Sequence, residues 1–530
     1  MDIPVRREVN LSKKKKQKQN HQGAHHSQIG QHLRQGKKLV PPFNTIPKLN
    51  TDSSWRDDHA PEMLWALLLA ATLPRHVYLN CFRSIIRWYL SLSSGEQLAS
   101  AALEPGPTNG AAPNFACEID HTSLAELPDH HFEQFIKIPL SHPLGYGTLR
   151  PLLLLDSLPG IDRWRTRLAV QPTEHDWRTL AAAIIASLDH QSEKSTDVRW
   201  LKCALKIIQG KLVFPQSLGE LADEVLSFPN VGDMRKVRPF IRSTEMLLRR
   251  NPRSVWIERF WEELLRKTEC VDGSTETDYF KVAAPALTGE TILISRSQTV
   301  QRFRTVISTT AIDARLDSAF GFTLYALSLL EEIAAPPYSQ LLTGRVGLRT
   351  LAEIVITFAY LVKEDSPSLW TTYRNFGSGQ AKLAFLKIEE ATGDAPTFVE
   401  QETLYQIANE DMWQEFVNVD IGHWAGTNLR DMAIRGKTKP IYDQYYDWTS
   451  TFVHGHWCSI RDSNFATCHN PLHRLHRIPR PYHRLMPTVV PDAVKLVNHT
   501  FDLLEATFPA MDKLARITGT ATDGSDTVPS

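Results

Sequence analysis

The stretch FVHGHWC, Phe452 to Cys458, sets His454, His456 and Cys458 at alternate positions, side chains that ligate metals or move protons. At 100° per residue, two histidines two positions apart on a helix diverge by about 200° and cannot hold one ion together. Chelation by both requires Gly455 to end the helix and release His456. With His454 as origin, Asp443, Asp447, Ser450 and Cys458 fall within about 40° of it, and Ile441, Tyr445, Trp448 and Phe452 take the opposite side. An Asp one or two turns from a His can orient the imidazole and raise its pKa, and a Ser or Tyr can bond its second nitrogen. The stripe reads either as an acid/base candidate centred on His454 or as a solvated polar face.

A second polar seam runs along LRTLAEIVITFAYLVKE, residues 348–364. Arg349, Glu353, Thr357, Tyr360 and Glu364 lie within about 80° of one another, and the rest of the wheel is Leu, Ile, Val, Phe and Ala. Arg349 and Glu353, spaced i,i+4, can pair. A helix this apolar is expected to be deeply buried, its narrow seam facing the helix that carries His454; the alternative is a surface stripe with one salt bridge.

Residues 461–485, RDSNFATCHNPLHRLHRIPRPYHRL, set Arg461, Arg474, Arg477, Arg480 and Arg484 against a single acid, Asp462. Arginines at this spacing among His and Tyr suit RNA phosphates or an acidic protein partner; equally, they can pair with acids of the same chain. Cys458, Cys468, His469, His473 and His476 are numerous enough for a tetrahedral zinc site. Their C-x9-C-H-x3-H-x2-H spacing matches no common zinc motif, so the expectation is no resident metal or other cofactor, with zinc the competing reading.

These residues must be positioned by a chain of 530 residues, too long for one core. It is 42% apolar and 22% charged, and Lys+Arg and Asp+Glu both number 59, so any bias toward an anionic partner is local. Six scattered cysteines fit a cytoplasmic location better than a disulfide scaffold. The longest apolar run, Met63–Leu73, is too short to span a membrane. Phosphate-loop, GxSxG, HExxH, GxGxxG and CxxC motifs are absent.

Periodicity predicts an all-α protein with few strand signals. Residues 1–38, basic and poor in large apolar side chains, are expected to be a disordered tail, as are 511–530. A helical N-terminal domain is expected over 41–267, with helices near 75–90, 176–190, 197–209, 217–226, 234–249 and 254–268. Loss of periodicity puts a linker at 268–299. A helical-bundle domain over 300–510 follows, with helices at 301–333, 343–364, 367–391, 400–418, 440–456 and 492–508.

Across roughly 300–510 the chain resembles a bacterial family known only as domain of unknown function 5677, whose members pair an R-x-x-x-E helix with a later Y-x-x-x-S-x-x-x-H helix. Here these are Arg349 and Glu353, then Tyr446, Ser450 and His454; with Asp447 they form the candidate catalytic set. The architecture is in turn similar to HEPN domains, helical bundles that often act as metal-independent ribonucleases through R-x(4–6)-H. His454 matches that histidine, but the positions open to the arginine hold Asp447, Trp448 and Thr449, and an acid there repels phosphate. Arg349 would have to supply the charge from the neighbouring helix. The first expectation is therefore a non-catalytic module binding RNA or a protein, in a stress or phage-defence setting by family analogy alone. A divergent HEPN-like ribonuclease centred on His454 is the alternative, and a zinc-stabilised interaction domain the third.

Overall fold

The protein is described by a computed structural model over residues 29, 32–40, 54–101, 118–189, 191–212, 219–247, 255–272, 289–391, 396–410, 417–420, 422–481 and 483–518. Residues 1–28, 273–288, 482 and 519–530, which carry most of the expected tails and linker, lie outside the described residues. The described chain is all-α, as the periodicities predict. Two short antiparallel hairpins interrupt it: β1 (Leu33–Gln35) with β2 (Lys38–Val40), and β3 (Phe465–Thr467) with β4 (Arg477–Pro479). No helix among the described residues is long and apolar enough to cross a membrane. The chain divides into two units, Met1–Cys270 with Asn470–Arg474, and Val271–His469 with Leu475–Ser530.

The first unit is built on α1 (Leu64–Thr72), whose residues from Leu64 to Ala70 are all buried. A helix apolar on every face must be enclosed on every face, and α2 (Glu174–Leu188) and α3 (Glu193–Ile208) pack against it. Thr173 starts α2 with a reciprocal capping box to Asp176, and the Ser192 side chain accepts from Ser195 N to start α3. Asp197 of α3 is fully buried and accepts from Arg75 Nε at 2.8 Å and Tyr78 OH at 2.7 Å. The unit's last helix, α4 (Val255–Lys267), ends in Arg266 and Lys267, cations that suit a helix C-terminus.

The second unit contains α5 (Arg315–Ala334), α6 (Leu342–Glu364), α7 (Pro367–Glu389), α8 (Leu429–Arg435), α9 (Asp447–Val453), α10 (Trp457–Asn464) and α11 (Val490–Thr507). Helix α6 is its centre. Leu348, Leu351, Val355 and Phe358 join the core made with α5 and α11, while Ile356 and Tyr360 pack with Met432 and Ala433 of α8. Gly436 makes that second contact possible, since a Cβ there would come within 2.9 Å of Tyr360 N.

Two expected helices are broken. The stretch 301–333 is a helix Gly289–Thr305 followed by α5. Between them lie clustered β-branched residues, and the Asp313 carboxylate takes the Arg315 backbone N–H and guanidinium, which starts a new helix there. The stretch 440–456 contains a π-helical turn, Tyr442–Tyr446, whose extra residue shifts the phase of the wheel before Asp447. Trp448, on the side of the wheel opposite His454, is exposed, and Thr449 is the buried position.

Candidate functional site

Helices α6 and α9 pack together, which brings the Arg349 seam against the segment leading to His454. Arg349 NH1 donates to Glu353 Oε2 at 2.7 Å, and NH2 donates to Tyr446 OH at 3.1 Å. The Arg349 side chain is only 15% exposed, and its Nε, also buried, has no hydrogen-bond partner among the described residues. Burial holds the Glu353 carboxyl above the usual carboxylate range, against the opposing pull of Arg349 and, more weakly, of the His454 charge. Burial outweighs the ion pair here, so Glu353 takes up a proton more readily than an exposed glutamate.

The other members of the expected set are more open. His454 caps α9 and is exposed, as is Asp447, while Ser450 is half-buried. Asp447 is engaged by the Tyr442 hydroxyl, whose pKa it helps to raise after burial. Gly455 adopts a left-handed φ of 58° and ends the helix, and His456 begins α10. The condition for releasing His456 is thus met: the His454 and His456 rings stack with centroids 6.0 Å apart.

Glu353 and Tyr446 line a cleft of about 1000 Å³, together with Phe322, Tyr373, Trp424 and Asp431. Tyr373 and Trp424 meet edge to face at 5.1 Å, and burial pushes the Tyr373 phenol up to about 12, so it stays a donor. His423, also on the cleft, is held below the usual imidazole range by burial. Asp431 is oriented by the Asn428 cap, receiving Asn428 Nδ2 at 2.8 Å. The loop residues His423, Trp424 and Asn428 escaped the sequence reading because a loop has no period. Their signal is composition: GHWAGTN, residues 422–428, mixes glycine with aromatic and amide side chains.

The basic loop is largely spoken for. Arg474 pairs with Asp57 at 2.6 Å, and Arg484 pairs with Asp462. Arg461 and Arg477 both donate to the Thr467 hydroxyl oxygen, each at 3.1 Å, and neither meets an acid among the described residues. The Arg480 Nε is buried without a partner among them. Trp457, one turn before Arg461 on α10, is exposed and packs on Phe465 at 6.1 Å. Of the five residues considered for zinc, Cys468 and His476 stand opposite each other just beyond the β3–β4 pairing, where Cys468 N donates to His476 O at 3.1 Å; His473 lies near Cys270, its Nδ1 3.6 Å from Cys270 Sγ. Cys458 and His469 are both exposed.

Residues 343–470 match a family model described as a family of unknown function, DUF5677. The match takes in Arg349, Glu353, Tyr446, Ser450 and His454 and ends before Arg474. No curated protein and no solved structure matches the chain.

Proposed function

We propose that the second unit binds single-stranded RNA, taking an unpaired base into the cleft beside Glu353. The observation that carries this reading is the composition of the cleft wall: Phe322, Tyr373, Trp424 and Tyr446 supply ring faces, and Glu353 and Asp431 supply polar edges. Unstacked bases are held by such rings and read by hydrogen bonds along their edges. Two carboxyls repel a phosphate from the cleft itself, and the nearby Arg349 is already paired and does not offset them, so the backbone is held outside it. Arg461 and Arg477, with no acid to neutralise them among the described residues, suit that role.

Fluorescence anisotropy of a labelled single-stranded RNA tests the reading. Trp424→Ala should weaken binding by roughly 5- to 150-fold, the range of about 1–3 kcal/mol for one stacked base. Arg461→Ala with Arg477→Ala should weaken binding and reduce its salt dependence. No binding at low salt, or binding indifferent to Trp424, sinks the proposal; capture of an acidic protein by the same arginines would favour the protein-partner reading.

Metal-independent cleavage of that RNA is the second reading, favoured by one observation: His454 acts electrostatically on Glu353, whose pKa is raised. A general acid/base typically contributes about 10²–10⁴-fold, so His454→Ala and Glu353→Gln should each abolish visible cleavage in chelator. His456→Ala should leave it intact. An RNA that binds and is not cut by the native protein excludes this reading and leaves the first standing.

A further inference from the structure

Antiparallel pairing sets one face of the β3–β4 hairpin. Phe465 and Thr467 are two residues apart on β3 and share a face, and Arg477 stands directly opposite Thr467 on β4 and shares it too. Helix α10 runs straight into β3 and packs against it. Trp457 and Arg461, spaced i,i+4, lie on one side of that helix. The Trp457 ring meets Phe465 at 6.1 Å, and Arg461 NH2 donates to Thr467 Oγ1 at 3.1 Å. Arg477 NH1 donates to the same oxygen, also at 3.1 Å. One exposed indole, two guanidinium groups and one hydroxyl thus share a single face, and all of them belong to the second unit.

The Thr467 hydroxyl is the centre of the arrangement. Its oxygen has two lone pairs, and the two arginines take both. Its hydrogen is therefore left to donate, and it meets no acceptor among the described residues. The two donor nitrogens can stand no further apart than twice their distance to that oxygen, so two positive charges are held close together. The acid nearest in sequence, Asp462, is taken by Arg484. The face offers donors and positive charge, and it lacks an anion. We propose that it binds the terminal phosphate of an RNA strand, a phosphomonoester, with the base of that end nucleotide stacked on Trp457. The inference deepens the RNA reading and rests on it for the strand; a free nucleoside monophosphate carries the same chemistry.

Charge balance selects the end of the strand over its interior. A phosphomonoester carries about −1.5 to −2 at pH 7 and presents three strong acceptor oxygens, whereas an internal phosphate carries a single negative charge. Two guanidinium groups match the first and leave an excess over the second. Planar guanidinium forks bind phosphate oxygens through two parallel N–H bonds each, and the Thr467 O–H supplies a further donor. The aromatic half fits an end nucleotide as well. Trp457 is 63% exposed, so its ring is open to a base. It lies about one helical turn, roughly 5.4 Å along the axis, from Arg461, which sets a base beside its own phosphate.

The full chain is titrated into three labelled single-stranded RNAs of one sequence, carrying a 5′-phosphate, a 3′-phosphate or neither, and anisotropy is read. One of the phosphorylated strands should bind about 10-fold more tightly than the plain one, the lower end for hydrogen bonds to a charged group. Its log K should fall by about 0.7 more per decade of salt, the contribution of one further charge. Arg461→Gln and Arg477→Gln should each erase most of that preference, and Thr467→Val, which keeps the β-branched shape, should reduce it. Trp424→Ala should weaken all three strands and keep the preference. A calorimetric titration with adenosine 5′-monophosphate and with adenosine needs no strand: the monophosphate should bind more tightly by a similar factor, and Trp457→Ala should weaken it roughly 5- to 150-fold. Equal binding of phosphorylated and plain strands overturns the inference and leaves the RNA reading standing. Binding of the monophosphate without binding of any RNA overturns the RNA reading and leaves the phosphate site. A preference that survives in the double variant Arg461→Gln with Arg477→Gln, shown to be folded by circular dichroism, overturns the assignment to this face.

Discussion

Replacing Arg349 by Met should destabilise the second unit at neutral pH, and the damage should fade as pH falls. The exposed form of an i,i+4 pair is worth about 0.3–0.5 kcal/mol, whereas stripping one partner from a fully buried pair costs about 3–5 kcal/mol. Arg349 at 15% and Glu353 at 34% exposure stand between these limits, and Tyr446 also loses the donor of a 3.1 Å hydrogen bond. A cost of about 2 kcal/mol follows, or roughly 4–8 °C in the melting temperature of a unit of this size. The pH dependence is set by Glu353. Its folded-state pKa already lies above its ordinary value, through burial that Arg349 opposes. A carboxyl with a raised folded pKa keeps its full stability below the unfolded value of about 4.3 and loses it as pH rises through the folded value. Without Arg349 that folded value rises further, so the variant's deficit grows from pH 4 to pH 7. The double variant Arg349→Met with Glu353→Gln should recover most of it, because no buried charge is left unpaired. Thermal melts of the four proteins of this cycle at both pH values decide. A deficit that does not change with pH, or single effects that simply add in the double variant, would show that burial of Glu353 is not what Arg349 compensates.

In the first unit, His121 is fully buried between Trp164 and Trp256, its two ring nitrogens have no partner among the described residues, and burial pushes its pKa down to about 3. A lowered His pKa gives stability that is present above the unfolded value of about 6.5 and is lost as pH falls toward the folded one, at about 1.4 kcal/mol per unit. His121→Phe should thus be near neutral at pH 7 and about 2 kcal/mol more stable than native at pH 5 in urea melts; equal midpoints at pH 5 contradict it. Asp197→Ala should cost about 3–5 kcal/mol in the same assay, since it strands Arg75 and Tyr78, and a loss under about 1 kcal/mol would mean that Asp197 holds neither.

The helices were legible where burial imposes a period. The run from Leu64 to Ala70 has no polar face, and the structure buries all of it. The narrow seam of α6 announced both its own depth and a polar partner, and Arg349 does meet Tyr446. What the wheel could not carry was phase across an irregular turn. One extra residue in Tyr442–Tyr446 breaks the phase between the residues before it and those after it, and no composition rule marks a π-helical turn in advance. The cleft was half visible for a related reason. Its helical wall, with Glu353 and Tyr446, follows from periodicity, but His423 and Trp424 come from a loop, where position depends on the tertiary fold alone.

Charge counts along a loop mislead in the same way, since they report residue types and not neighbours. Five arginines near one acid look like a cationic surface, yet Arg474 finds Asp57 from the far end of the chain and Arg484 takes the loop's own Asp462. The remaining positive charge is concentrated where two guanidinium groups share the single hydroxyl of Thr467. Like charges held that close repel unless an anion or water lies between them, so the pair is most stable with a counter-charge bound.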